Sequence, residues 1–185
     1  MMDREHQVTL PQCWLDRCQD AGERIVHAYA TDPRSAASKA YAMNGIELDV
    51  EAQAFAKMGE VAFCLWAGLD PDAAVNWSAL PDNGHDVNFG GVLLDIKTVE
   101  HYKKFLIWPV SKNAIYCSKR FHALILVKRA APFFSVERWI DKAAFFCEHR
   151  VAEGELGLIP GTWFMPEADL WPMESFFGYF GRRFA

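Results

Sequence analysis

The sequence has no long apolar run. Its most apolar stretches, such as residues 123–127, fall far short of the roughly 20 residues needed to span a bilayer, so no membrane is expected among its partners. Cysteine is sparse and badly arranged for cross-linking. The five, at positions 13, 18, 64, 117 and 147, form an odd set without a CxxC pair, which argues against a disulfide framework or a zinc site and for reduced thiols in the cytoplasm. Cys13 and Cys18 are expected as packing residues of a first helix. The first residues, Met-Met-Asp-Arg-Glu-His, carry acidic groups and no apolar segment, so no secretory signal is expected. There is no P-loop, no GxGxxG and no Ser-His-Asp order, which leaves NTPase, dinucleotide-binding and covalent hydrolase readings without support. Basic charge is also short: the net charge is −5, which counts against indiscriminate nucleic-acid binding, since that comes mostly from phosphate neutralisation.

What is present is an ordinary globular composition, half apolar over 185 residues, without repeats or low-complexity linkers. A single domain over 1–185 with a sizeable core is expected. Residues 10–30 read as an amphipathic helix stopped by Thr31-Asp32-Pro33. Asp49 is placed to cap a second helix, through Phe55, Met58, Val61, Ala62 and Leu65 to about Gly68, with Asp70-Pro71-Asp72 as its breaker. Residues 84–99 have a hairpin pattern around Gly90-Gly91. The run 122–128 suits a central strand and 135–140 another, after which Asp141 caps a helix through Phe145, Phe146 and His149. Trp163-Phe164-Met165 reads as short strand followed by irregular packing. The order helix, hairpin, strand, strand, helix predicts an α/β sandwich with a mixed sheet.

The hairpin carries the chemistry. With Gly90-Gly91 as a two-residue turn, Phe89 faces Val92, Asn88 faces Leu93, Val87 faces Leu94 and Asp86 faces Asp95. Opposed residues have Cβ atoms roughly 4.5–5.5 Å apart on one face, and the strand period puts Lys97 on the face of Asp95. Val87, Phe89, Val92, Leu94, Ile96 and Thr98 point to the other, apolar, face. Like charges directly opposed destabilise a sheet, and a cation between them removes the penalty. Oxygen-only ligands beside a substrate phosphate suit Mg²⁺ or Mn²⁺ rather than zinc.

Glu60 is the next candidate. Ala56, Phe63 and Cys64, three and four residues away on the same helix, are apolar or small, and a carboxylate on such a stripe needs a partner if buried. A metal-held water or Lys97 would serve. Gly59, a poor helix former, points to close backbone packing of this helix. From residue 101 to 129 the chain carries Lys103, Lys104, Lys112, Lys119, Arg120, Lys128 and Arg129 without one Asp or Glu. A solvated face is the commoner origin of such a run, but its place directly after the acidic motif suits contact with phosphates. Lys112 and Asn113 fall in a segment, 111–119, expected to border the cleft. His85 and His101 flank the motif and read as turn or surface histidines. The aromatic tail, 171–184, reads first as core packing and second as a partner-binding surface.

Met58-Gly59-Glu60-Val61-Ala62-Phe63, Gly84-His85-Asp86-Val87 and Leu94-Asp95-Ile96-Lys97-Thr98 together resemble the PD-(D/E)XK nuclease superfamily, which includes restriction endonucleases, phage exonucleases and junction resolvases. The resemblance extends through the strand at 123–127, the strand-to-helix step at 136–142 and Gly161-Thr162-Trp163-Phe164-Met165-Pro166, covering roughly 47–172, and is to phage and bacterial members. It implies a restriction-endonuclease-like sandwich, a central mixed β-sheet flanked by helices. It further implies that Asp86 and Asp95 hold Mg²⁺ or Mn²⁺ with the Ile96 backbone carbonyl, and that Lys97 orients or activates the water. Glu60 would support a metal-held water or a second metal, while the basic run, from its charge and position rather than from the resemblance, offers Lys103, Lys104, Lys112, Lys119 and Arg120 as contacts to the nucleic-acid backbone. Pro81-Asp82 supplies a literal Pro-Asp, but the hairpin geometry favours Asp86. The expected function is metal-dependent hydrolysis of DNA phosphodiesters, with RNA left open. A homodimer or a recruiting protein partner fits the acidic net charge. The rival is a non-catalytic member of the fold that binds nucleic acid or protein.

Overall fold

The computed structural model describes residues 6–31, 49–79, 84–109, 113, 116–154 and 157–181. Asp32-Pro33, Pro81-Asp82 and Lys112 lie outside them.

Strand β1 (Gln7–Thr9) leads into helix α1 (Gln12–Thr31), which buries Cys18, Ala21, Gly22 and Ile25. Helix α2 (Val50–Trp66) starts where Asp49 accepts a hydrogen bond from the Glu51 N–H at 2.9 Å, as its sequence predicts. Past its end, Asp70-Pro71 does more than break it: Asp70 caps a short helix, α3 (Pro71–Ala74). Strands β2 (Val87–Phe89) and β3 (Val92–Glu100) form the expected hairpin, paired Val87 with Leu94, Asn88 with Leu93 and Phe89 with Val92. Gly90 and Gly91 at its turn have φ of 53° and 92°, the left-handed backbone that a two-residue hairpin turn requires and that side chains resist. β4 (Phe105–Trp108) follows, then β5 (Ala123–Ala130) and β6 (Phe133–Asp141). Asp141 caps α4 (Lys142–Glu148) through the N–H groups of Ala143 and Ala144. The chain closes with β7 (Arg150–Val151), β8 (Trp163–Pro166), β9 (Trp171–Pro172) and α5 (Glu174–Gly181).

The main sheet runs β1-β6-β5-β3-β2, with β9 added on β6. It is mixed: β3 and β5 are parallel, whereas the β2–β3, β5–β6, β1–β6 and β6–β9 pairs are antiparallel. This gives the expected mixed α/β architecture, a mixed sheet flanked by helices. β5 is buried along both faces, so its side chains divide by alternation between two cores. Ala123, Ile125 and Val127 join Leu94, Ile96, Val61, Phe63, Trp139, Phe176 and Phe180 on the side of α1, α2 and α5. Leu124 and Leu126 join Leu106, Trp108, Tyr116, Phe145 and Met165 on the other. That second core is closed by a feature the sequence pattern does not announce, a separate three-stranded sheet ordered β4-β8-β7.

Of the aromatic tail, Phe176 and Phe180 are core residues on a helix, as the packing expectation has it. Cys18 and Cys64 are buried thiols, pushed up to about 12 first by burial. Cys13 departs from expectation: it lies on the exposed side of α1. Among the described residues no helix is long and apolar enough to cross a membrane.

Candidate active site

The face of β3 opposite its apolar residues carries Asp95 and Lys97, as strand alternation predicts. Val87, Val92, Leu94 and Ile96 lie in the helix-side core. Asp95 is 0% exposed, a position no carboxylate tolerates without compensation. Lys97 Nζ forms an ion pair with its Oδ1, and Lys119 Nζ lies 3.3 Å from its Oδ2. Both ammonium groups stand over one indole, that of buried Trp108 on β4, at 4.9 and 5.5 Å from a ring centroid. An aromatic face attracts cations and adds no competing acceptor, so Trp108 holds both lysines against Asp95.

Asp86 reaches the same place by a route that differs from the expected cross-strand pair. β2 begins only at Val87, and Asp86 sits on the bend before it. Its N–H donates to Leu94 O at 2.8 Å, and its carboxylate Oδ2 accepts the Ile96 N–H at 2.7 Å. The side chain thus replaces the next carbonyl of the ladder and holds the edge of β3 beside Asp95. Burial first, and then the Asp95 charge, push the Asp86 carboxyl above the usual range, against Lys97, Lys57 and Lys119, which pull it down. Gly84, with φ of 97°, fixes the approach: a Cβ there would lie 2.5 Å from the Arg120 N. Only glycine lets the loop before Asp86 press against the backbone next to Lys119.

Glu60, 4% exposed, enters from α2, and the side chain that pairs with it is Lys57 rather than Lys97. Lys57, three residues earlier, donates to both Glu60 oxygens at 3.0 and 2.7 Å and to the Asn76 carbonyl at 2.8 Å. Burial pushes the Glu60 carboxyl up to about 8 despite Lys57, with the Asp86 and Asp95 charges adding to the rise. α2 comes this close because Gly59 has no side chain. A Cβ there would lie 1.8 Å from Thr98 Oγ1 and 2.9 Å from Thr98 Cβ, which is the close packing its sequence position predicts.

Glu60, Asp86, Asp95, Lys57, Lys97 and Lys119 therefore line one cavity of about 280 Å³. Ile96 lines it through its backbone, since its side chain lies in the core. The rest of the expected basic track disperses. Lys128 is buried in an ion pair with Glu167, and Arg129 is paired with Glu100. Arg120 is exposed, and Lys103 and Lys104 border a separate groove. Lys119 stands apart from these: it lines the carboxylate centre, paired with Asp95. His85 and His101 do not line the cavity.

Among the described residues no three His, Cys, Asp or Glu side chains stand together as a ready metal cage. The donor chemistry of Asp86 and Asp95 nevertheless fits a hard cation. Mg²⁺ is commonly held by one or two carboxylates and keeps several waters, and a cation there relieves the repulsion that raises Asp86. No family model, no curated protein and no solved structure matches this chain.

Proposed function

We propose that this chain is a Mg²⁺- or Mn²⁺-dependent nucleic-acid phosphodiesterase of the PD-(D/E)XK type, acting on DNA. The observation that carries the reading is buried Asp95 beside half-buried Asp86, with Lys97 and Lys119, in one cavity. Setting a half-buried carboxylate against a fully buried one is costly and brings no packing gain, so a cost placed here fits a functional centre.

Asp86 and Asp95, with the Ile96 carbonyl, would hold the metal, which when bound supplies Lewis-acid polarisation of a phosphoryl oxygen and lowers the pKa of water. Lys97 lies on the Asp95 face of β3, where its ammonium serves to orient the attacking water. Lys119 brings a second positive charge to the same carboxylate, suited to the charge that develops on the phosphoryl oxygens. The Lys57–Glu60 pair braces α2 against the centre. Lys97 and Lys119 neutralising Asp95 between them also favours a second reading, a non-catalytic binding module with a self-compensated cavity.

Incubation of plasmid and single-stranded DNA with Mg²⁺ or Mn²⁺ separates the two. Cleavage by the parent that is lost in both Lys97→Ala and Asp95→Ala supports the catalytic reading, and cleavage surviving in both overturns it. Thermal shift adds a readout independent of turnover, since a ligand present at about 100 times its Kd stabilises the fold by about 2.7 kcal/mol. Mg²⁺ should raise the parent's Tm but not that of Asp86→Asn/Asp95→Asn. Metal stabilisation without cleavage favours the binding module.

A further inference from the structure

A second groove, of about 750 Å³, lies on the small sheet and its entry loop, lined in part by Tyr102, Lys103, Lys104, Phe105, Arg150 and Phe164. Among the described residues its lining holds three cations and three aromatic rings and no carboxylate. Tyr102 is 63% exposed, and Lys103 Nζ lies 5.5 Å from the centroid of its ring and 6.0 Å from that of Phe105. Arg150 is steadied by Asp169 at 2.9 Å outside the lining. Lys104 stands 4.0 Å from Glu167, whose carboxylate already engages Lys128.

The groove and the carboxylate cavity share one strand. Along β4, Leu106 and Trp108 are buried in the second core, so alternation turns Phe105 and Ile107 to the outer face. Phe105 lines the groove, while Ile107 and the following Pro109 line the cavity. At about 3.3 Å per residue, Phe105 to Pro109 spans about 13 Å.

We propose that this groove is a track for single-stranded nucleic acid that feeds the Asp95 cavity along the outer face of β4, an inference that rests on the phosphodiesterase reading for its direction. Cations along a groove neutralise phosphates, and they do so for duplexes and single strands alike. The interleaved rings decide between them. A base can stack on a side-chain ring only when its own face is free, and such stacking tolerates any sequence. A duplex would leave Tyr102 and Phe105 without a role. The small number of cations also suits a chain of acidic net charge, in which stacking carries what phosphate contact does not.

The test is fluorescence anisotropy of a labelled 20-nucleotide oligo-dT and of a hairpin duplex, with the parent, Tyr102→Ala, and Lys103→Ser/Lys104→Ser/Arg150→Ser, all in EDTA so that cleavage plays no part. The parent should bind oligo-dT more tightly than the duplex. Tyr102→Ala should weaken oligo-dT binding about 5- to 150-fold, and the triple variant should flatten the salt slope by about 2. Equal affinity for the duplex, or oligo-dT binding unchanged in both variants, overturns the track. Cleavage of bis(p-nitrophenyl) phosphate, too small to use the groove, keeps the two readings apart. If the parent never cleaves it or DNA while the oligo-dT results hold, the phosphodiesterase reading fails and the strand-binding groove stands. If both substrates are cut and the groove variants bind and cut oligo-dT like the parent, the track fails alone.

Discussion

Replacing Gly59 with alanine should destabilise the protein, although the substitution adds the best helix former to the middle of a 17-residue helix. Propensity alone predicts a gain of about 1 kcal/mol. Against it stands Thr98: the new Cβ would lie 1.8 Å from Oγ1 and 2.9 Å from both Cβ and Cγ2. Rotating the threonine side chain relieves the first contact but not the second, because the position of Thr98 Cβ does not depend on χ1. Either α2 or β3 must therefore shift. Overpacking costs about 1–3 kcal/mol, and so close an approach falls in the upper part of that range, about 2–3 kcal/mol, which leaves a net loss of about 1–2 kcal/mol and, for a domain of this size, about 2–8 °C in Tm. The neighbours of the two residues are Glu60 and Lys97, so the shift also moves the α2 side of the cavity against the β3 side. Misplacement by about 1 Å is enough to lower turnover roughly 100-fold. Urea unfolding of the parent, Gly59→Ala, Thr98→Gly and the double variant forms a cycle whose coupling should be positive, with the double variant better than the sum of the singles. Thr98→Gly carries its own loss, from the strand and from the hydroxyl bond to Ala56 O at 3.3 Å, but the cycle cancels it. A Gly59→Ala protein as stable as the parent, or more so, would refute the close-approach argument.

Two further predictions concern the helix side of the cavity. Lys57→Met leaves the buried Glu60 carboxylate unpaired and should cost about 3–5 kcal/mol in urea unfolding above about pH 8, whereas Lys57→Met/Glu60→Gln, which removes the charge as well, should recover most of it; a loss under about 1 kcal/mol for the single variant would show that the pair is not desolvated. Glu60 itself makes stability fall as pH rises: its folded pKa of about 8 exceeds the ordinary 4.5, so the native state holds an extra proton between those values and loses its advantage as pH climbs through the upper one. The urea midpoint of the parent should drop from about pH 5 to about pH 9 more steeply than that of Glu60→Gln, and equal slopes would contradict the assignment.

The helix-side core was legible because it obeys local rules. Asp49 and Asp141 cap the helices they precede, Gly90-Gly91 makes the turn it predicts, and the apolar alternation of β2 and β3 matches the buried face residue by residue. The small sheet was not legible for an equally physical reason. β4 and β7 are short, at four and two residues, too brief for a period-two pattern to stand out. Their partner β8 comes from 55 or more residues beyond β4 in the chain, as with Leu106 and Met165. Such pairing is decided by the tertiary fold, not by the segment.

The carboxylate centre divides along the same line. Asp86, Asp95 and Lys97 follow from turn chemistry and strand period, both local. Lys57 was readable too, since i−3 is a helix-face neighbour and its ammonium reaches both oxygens of Glu60. Lys119 was not, because what brings it to Asp95 is the contact of Gly84 with the Arg120 backbone together with the Trp108 indole between the two lysines. That difference changes the chemistry to be expected. Read from sequence, the centre is three acids and one base, with an uncompensated charge that calls for a cation. As folded it is three carboxyl groups and three ammonium groups in one cavity, and with Glu60 holding its proton below about pH 8 the ammonium groups already compensate the two aspartates. A cation drawn to Asp86 and Asp95 must then compete with Lys97 and Lys119 for Asp95, and each lysine it displaces becomes available to an anionic phosphodiester. Removing Lys119 alone should therefore tighten the metal while weakening the substrate, whereas a lysine that served only to contact phosphate from outside the cavity would change the second and leave the first untouched.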